Sequence, residues 1–251
     1  MIRTIFLASL LALPAYAAEK IVVNSGTTQT AVVELYTSEG CSSCPRADRW
    51  LSSLIEAPKD ELDVLALSFH VDYWDYLGWK DRFSSPAYTS RQRNLGANNS
   101  QRTIYTPEFF VNGMEARGTN RILEKIQQSN EQKSPLMLKL SVSKVDNSLL
   151  IDLQSPGRLD TIGQLHHRYI VYENNLSTDV KRGENSGETL RHEQVVRYLS
   201  SARNLQTSNQ HRIDIDPEWQ SENIGVAVLV TTPGDTRYLQ ALHTSVASLL
   251  Q

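Results

Sequence analysis

The chain has 251 residues, only two of them cysteine, and a formal net charge of −3 at pH 7 with a sequence pI near 6.1. Slight acidity and scattered Arg and Lys, with no basic run, speak against a nucleic-acid partner. The length is enough to bury real cores without disulfide staples, and it predicts two domains.

Residues 1–17 have the form of a signal peptide. Arg3 supplies the positive start, residues 5–13 a short apolar core, and Ala15-Tyr16-Ala17 a small-x-small cleavage site. The apolar stretch is too short to span a bilayer, and no later segment comes close, so no membrane span is expected. Cleavage after Ala17 would leave 251 − 17 = 234 residues and, with Arg3 gone, a net charge of −3 − 1 = −4. The expected location is therefore periplasmic or secreted. A secreted chain that cannot build a core carries many disulfides; this one can carry one at most.

The centre of the sequence is the stretch from Ala31 to Leu51. An apolar run at 31–36, interrupted by Glu34, suits a strand buried on both faces. A polar link leads to Cys41-Ser-Ser-Cys44-Pro45, after which Ala47, Trp50, Leu51 and Leu54 recur at helical spacing. Strand, CxxC, helix is the order of a thioredoxin-like redox site. A cysteine at a helix start faces unpaired N–H groups and the positive end of the macrodipole, which favour thiolate. Cys41 is thus the expected attacking thiol and Cys44 the resolving one. A staple over so short a loop constrains the unfolded chain little, and a structural zinc site wants four ligands where no second CxxC exists.

Residues 62–69 form a second candidate buried strand, with His70 at its end. Joined in parallel to the first strand through the helix after Cys44, they make a βαβ unit. His70 then emerges at the same edge as the CxxC. Five aromatics follow within residues 73–83, either anchoring an insertion by burial or walling a groove beside Cys41. Ser85-Pro86 opens a helix that Gly96 ends. Thr106-Pro107, just before an apolar strand and the Asn112-Gly113 turn, is a candidate cis-proline. Helical spacing returns from about Asn120 and stops before Pro135.

The CxxC, the Thr-Pro pair and an acid seven residues before Cys41 together resemble the thioredoxin superfamily. That resemblance implies Glu34 as proton acceptor for Cys44, and Thr106-Pro107 as the cis-proline that seats a substrate peptide. Four strings, ELYTSEGCSSCPRAD, HVDYWDYLGWKDRF, YTPEFFVNG and GENSGETLRHEQVVR (183–197), resemble more closely a family of exported bacterial proteins known as domain of unknown function 1223. The chain is also similar in part to exported copper chaperones of the Sco type, which pair two cysteines followed by proline with a distant histidine. In them the cysteines are spaced by three residues rather than two. Soft thiolates with an imidazole would suit Cu(I), held by Cys41, Cys44 and His70.

From Leu136 the period changes to two, with Leu136, Leu138, Leu140 and Val142 alternating with Met137, Lys139, Ser141 and Ser143. Further strands are expected at 149–153, 168–172, 193–199, 212–215, 225–231 and 238–243. They read as an antiparallel sandwich, with Gly183–Gly187 as a turn. The expected fold is an α/β thioredoxin-like domain at 18–134 followed by an all-β antiparallel sandwich at 135–251. His166 and His167 are adjacent, cannot share a metal on a strand, and are expected at the surface.

Two function classes follow. The first is an exported thiol–disulfide oxidoreductase, needing no cofactor, that reacts with exported cysteine-containing proteins or a redox partner. The second is a binding module whose cysteines hold Cu(I) or stay idle while the sandwich recognises a partner.

Overall fold

The computed structural model describes residues 19–56, 62–157 and 159–251, so the expected signal peptide lies outside the described residues. In chain order the first elements are β1 (Lys20–Asn24), β2 (Ala31–Thr37), α1 (Cys44–Ile55), β3 (Val64–His70) and α2 (Pro86–Asn98). They are followed by β4 (Glu108–Val111), β5 (Met114–Glu115), α3 (Thr119–Glu131), β6 (Lys139–Val145), β7 (Ser148–Gln154) and β8 (His166–Glu173). A short hairpin, β9 (Leu176–Asp179) and β10 (Thr189–His192), precedes β11 (Val195–Leu199), β12 (Arg203–Asn204) and β13 (Ser208–Asp214). The remainder is β14 (Ile224–Thr231), β15 (Tyr238–Ser245) and α4 (Ala247–Leu250).

The expected fold class is overturned. One sheet of nine strands runs through both halves of the chain in the order β15-β14-β8-β11-β3-β2-β4-β5, with β12 also paired to β8. The join is at β3, where Val195 of β11 pairs in parallel with Ser68, and the Ser68 amide donates to the Gln194 carbonyl at 2.9 Å. A free-standing α/β domain followed by a separate sandwich is therefore not what forms. The physical reason lies in β14: all eight residues of IGVAVLVT are buried. An unbroken apolar run belongs to the middle of a sheet covered on both faces, whereas a sandwich strand alternates. A second sheet, β1-β6-β7-β13, is wholly antiparallel.

Three apolar layers hold these pieces. The four-stranded sheet packs Leu140, Val142, Leu149 and Ile151 against Tyr169, Val171, Val226 and Val228 of the large sheet. Further along that same face, α1 and α3 cover β2 and β3 through Leu51, Leu54, Ile122 and Ile126 against Val33, Leu35 and Ala66. The opposite face of the large sheet carries Val32, Tyr36, Leu67, Phe69 and Leu229 under Tyr88 and Leu95 of α2. Ser85 caps α2 by accepting from the Ala87 amide, and Pro86 stands where no helical N–H is needed.

Each of the seven strands expected after Leu136 has an observed counterpart. The hairpin β9–β10 was expected only as a turn, and β1 pairs with β6 from outside any expected element. His167 is buried, against expectation. Burial first, and Arg203 second, push its imidazole down to about 4, so it is neutral. Among the described residues no helix is long and apolar enough to cross a membrane.

Candidate functional site

β2 and β3 run parallel, Thr37 opposite His70, so both strand ends and the start of α1 meet at one edge. The chain leaves β2 through a tight turn in which the Cys41 amide donates to the Ser38 carbonyl at 3.1 Å and the Cys44 amide to the Cys41 carbonyl at 3.2 Å. α1 then begins at Cys44 with Pro45 in its first turn. Cys41 and Cys44 form a disulfide with their Cα atoms 5.5 Å apart. The Ser43 hydroxyl sits 3.3 Å from Cys41 Sγ.

The disulfide is not open to solvent: Cys41 is 1% exposed and Cys44 0%. Its roof comes from the loop between β9 and β10. Asn185 Nδ2 donates to the carbonyls of Glu39 (2.8 Å) and Cys41 (3.0 Å), and Glu184 Oε2 accepts from the Ser42 amide at 3.0 Å. The Ser42 hydroxyl first, and its amide second, hold the Glu184 carboxyl below its ordinary range. Gly183, at φ 75°, lets the loop pass Trp79, whose Cβ would lie 3.1 Å from any Cβ placed there. Arg82 fastens the hairpin from below, donating to the Ser177 carbonyl at 2.9 Å and the Thr178 hydroxyl at 3.2 Å.

Glu34 does not serve Cys44. Its neighbours Val33 and Leu35 pack under α1, so alternation along the strand points Glu34 to the other face. There Arg91 of α2 clasps it twice, Nε to Oε2 and Nη2 to Oε1, each at 2.8 Å. The hydroxyls of Tyr36 and Tyr238 donate to it as well. Burial above all pushes both phenols up, so they remain donors. This carboxylate is fully partnered in a structural network that continues through Arg91 to Asp235 at 3.0 Å.

The acid on the cysteine side is Asp48, which sequence reasoning passed over. It stands four residues after Cys44 on α1, hence on the same helix face one turn on. It is buried, and its Oδ1 has no hydrogen-bond partner. Burial pushes its carboxyl above the ordinary range, against the pull of His192 and His70. Those two histidines lie beside it with carboxylates of their own. His70 Nδ1 is 2.6 Å from Asp81 Oδ2, and His192 Nε2 is 3.3 Å from Glu39 Oε1. The two rings meet edge to face with centroids 4.8 Å apart. Burial opposes charge on His70, but Asp81, Asp48 and Glu39 outweigh it and raise its pKa. Burial would push the Asp81 carboxyl up, but His70 and the amides of Glu39 and Phe83 outweigh it and hold that carboxyl below its ordinary range.

The Thr106-Pro107 bond is cis. Tyr36 pairs with Glu108, and continuing that antiparallel register sets Pro107 opposite Thr37 at the same edge. Trp74 bridges the two loops: its Nε1 donates to the Thr106 hydroxyl at 2.7 Å, and its Cβ would lie 3.2 Å from a Cβ at Gly40. Trp79 Nε1 donates to Glu39 Oε2 at 2.8 Å. The aromatic segment 73–83 thus ties the turn before Cys41 to the cis-proline loop, with Tyr76 left 81% exposed.

Cys41, Cys44 and His70, the expected Cu(I) set, are each engaged by other partners here. The sulfurs are paired with each other, His70 Nδ1 faces Asp81, and among the described residues no three His, Cys, Asp or Glu side chains are grouped to hold an ion. The missed residues, Asp48, Asp81, Glu184, Asn185 and His192, all fall within the four strings quoted above. The i, i+4 spacing of Cys44 and Asp48 was readable; the partners of the others come from far along the chain.

Two solved structures are similar over most of their length. A crystal structure of a protein from Agrobacterium tumefaciens is 25% identical, with a TM-score of 0.63 covering 87% of this chain and 95% of that one. The protein HBP35 of Porphyromonas gingivalis is 18% identical, with a TM-score of 0.66 covering 88% of this chain and 76% of that one. No curated protein matches the chain. The family model described as protein of unknown function (DUF1223) matches residues 32–231, which include every residue of the site, and the chain belongs to that family.

Proposed function

We propose that the protein is a thiol–disulfide oxidoreductase working through Cys41–Cys44. The observation that carries this reading is the buried carboxyl of Asp48, its Oδ1 without a hydrogen-bond partner, one helical turn from Cys44. An incoming thiolate forms a bond to Cys41 Sγ; the Cys41–Cys44 bond breaks and its electron pair goes to Cys44 Sγ. Asp48, its pKa raised by burial, carries a proton to that sulfur and takes it back when Cys44 re-forms the disulfide. Cys41, at the helix start beside the Ser43 hydroxyl, is the sulfur whose thiolate the helix end favours. The His70–Asp81 and Glu39–His192 pairs pack beside Asp48 and hold its surroundings in place while the proton moves. The signal-peptide form of the sequence at 1–17 supports an exported compartment, where thiols and disulfides exchange.

The burial of the disulfide favours a second reading, a static brace. Against it, a ring closed across a sequence separation of 3 restrains the unfolded chain little. A redox titration of the folded protein in dithiothreitol buffers, read by alkylation of Cys41 and Cys44, decides between them. A reversible two-electron midpoint supports the oxidoreductase, and Cys44→Ser should then accumulate a mixed disulfide at Cys41. Reduction that follows only upon unfolding leaves the brace.

A further inference from the structure

A cavity of about 380 Å³ lies where the hairpin β9–β10 meets the start of α1, walled by Ser42, Pro45, Asp48 and Arg49 on one side and by Glu188 and Arg191 among others on the hairpin. That volume is in the range of small-molecule sites, roughly 300–1,000 Å³. Ser42 and Pro45, the sequence neighbours of Cys41 and Cys44, line the cavity together with Asn185 of the roof, although neither cysteine lines it. An extended polypeptide would need the disulfide presented along an open groove; here the roof covers it.

The charges in the walls are specific. Arg49 and Arg191 are exposed, one on α1 and one on β10, and among the described residues neither has an ion-pair partner. Guanidinium groups on two facing walls suit carboxylates, which they bind with directed pairs of N–H donors. Glu188, exposed on the hairpin wall, adds a carboxylate to the lining, to which the buried Asp48 also belongs. Two cations and two acids describe a ligand with carboxylates and an ammonium or amide N–H.

We propose that this cavity seats a small zwitterionic thiol, a cysteine-bearing amino acid or short peptide with free carboxylates, as the direct redox partner of Cys41–Cys44. The proposal rests on the oxidoreductase reading. Bound thiolate attacks Cys41 Sγ, Cys44 leaves and is protonated, and a second thiolate attacks the ligand sulfur of the mixed disulfide. Two small thiols thereby become one small disulfide, and the protein disulfide becomes a dithiol; the reverse oxidises the thiols.

The test is the rate of reduction of the folded, oxidised protein by glutathione, β-mercaptoethanol and cysteamine, each corrected for its thiolate fraction and followed by tryptophan fluorescence. Glutathione should saturate and exceed β-mercaptoethanol about tenfold, with cysteamine slowest, as two free guanidinium groups predict. The Arg49→Ala/Arg191→Ala double substitution, on exposed side chains, should cut the glutathione-to-mercaptoethanol ratio about tenfold. Equal, non-saturating rates for the three thiols, a ratio unchanged in the double variant, or faster reaction with an unfolded reduced protein overturns the small-thiol assignment. A pair that dithiothreitol too leaves oxidised in the folded protein overturns the oxidoreductase reading itself, and the assignment with it.

Discussion

Asn185 donates its side-chain amide to the backbone carbonyl of Cys41 at 3.0 Å, across a sequence separation of 144 residues. With the second bond to Glu39 it fixes the hairpin loop over the disulfide. Both bonds lie outside the helices and sheets, so removing them frees the roof without touching a core.

Asn185→Ala should therefore speed reduction of Cys41–Cys44 by about tenfold while costing roughly 1–3 kcal/mol of stability, the range for losing buried hydrogen bonds of this kind. Stopped-flow reduction and a urea titration measure the two. Faster hydrogen exchange at the amides of Ser42 and Ser43 should accompany the rate change. An unaltered reduction rate would mean that the loop is not what limits access.

Glu34 and Arg91 test the correction to the expected proton acceptor. Arg91→Leu strands a carboxylate with only two phenols for company and should cost about 3–5 kcal/mol. Glu34→Gln should lower the melting temperature yet leave the pH dependence of disulfide re-formation as it was. A shifted pH profile in Glu34→Gln would return that residue to the reaction.

The local grammar of the site was legible and its surroundings were not. The disulfide spacing, the start of α1 near Cys44, the Ser85 cap and the cis Thr106-Pro107 bond all depend on neighbours a few residues apart, which periodicity and turn chemistry encode. Glu34 was misplaced because the face a strand residue occupies follows from what packs on each side, and α2 with Arg91 comes 57 residues later. The sandwich failed for a similar reason. Alternation separates half-buried from fully buried strands, and IGVAVLVT was grouped with its alternating neighbours although it lacks their alternation. The four strings meet in space at one edge: Asp48 from the first, His70, Trp74 and Asp81 from the second, Thr106 from the third, Asn185 and His192 from the last. Nothing in their separate sequences states that convergence.

Asp48→Asn should separate the proton role from structure. The folded carboxyl is raised from 3.8, so the native state holds its proton more tightly than the unfolded chain. Ionising it costs stability, a cost absent below about 3.8 and complete once the pH exceeds the folded pKa. The variant should thus melt higher than the parent at pH 8 and equally at pH 3. It should also close the disulfide more slowly, by about 10²-fold, the lower range for a lost general base. A variant that melts no higher at pH 8 and closes the disulfide at the parental rate would falsify the assignment of the proton to Asp48.

The last prediction concerns His70 and Asp81, packed together at 2.6 Å with both side chains 0% exposed. Facing the imidazole are Asp81, Asp48 and Glu39, with His192 at its edge. Its folded pKa is raised above 6.5, so its contribution to stability is complete below that value and is lost as the pH climbs through the folded pKa. Asp81 is lowered from 3.8, so its contribution is complete above that value and is lost as the pH falls through the folded pKa. The charged pair therefore stabilises most between about 3.8 and 6.5. Asp81→Asn leaves the imidazole among the remaining carboxylates without its charged partner and keeps an oxygen for only one of the Glu39 and Phe83 amides. It should cost about 3–5 kcal/mol near pH 5, as breaking one side of a buried pair does. The cost should shrink as the pH climbs through the folded pKa of His70, above which the imidazole is neutral and only hydrogen bonds are lost. Melting temperatures of parent and variant across pH 4.5 to 9 read this directly. A gap that stays constant over that range would mean that His70 does not change its charge within it, and the titration assigned to the pair would be withdrawn.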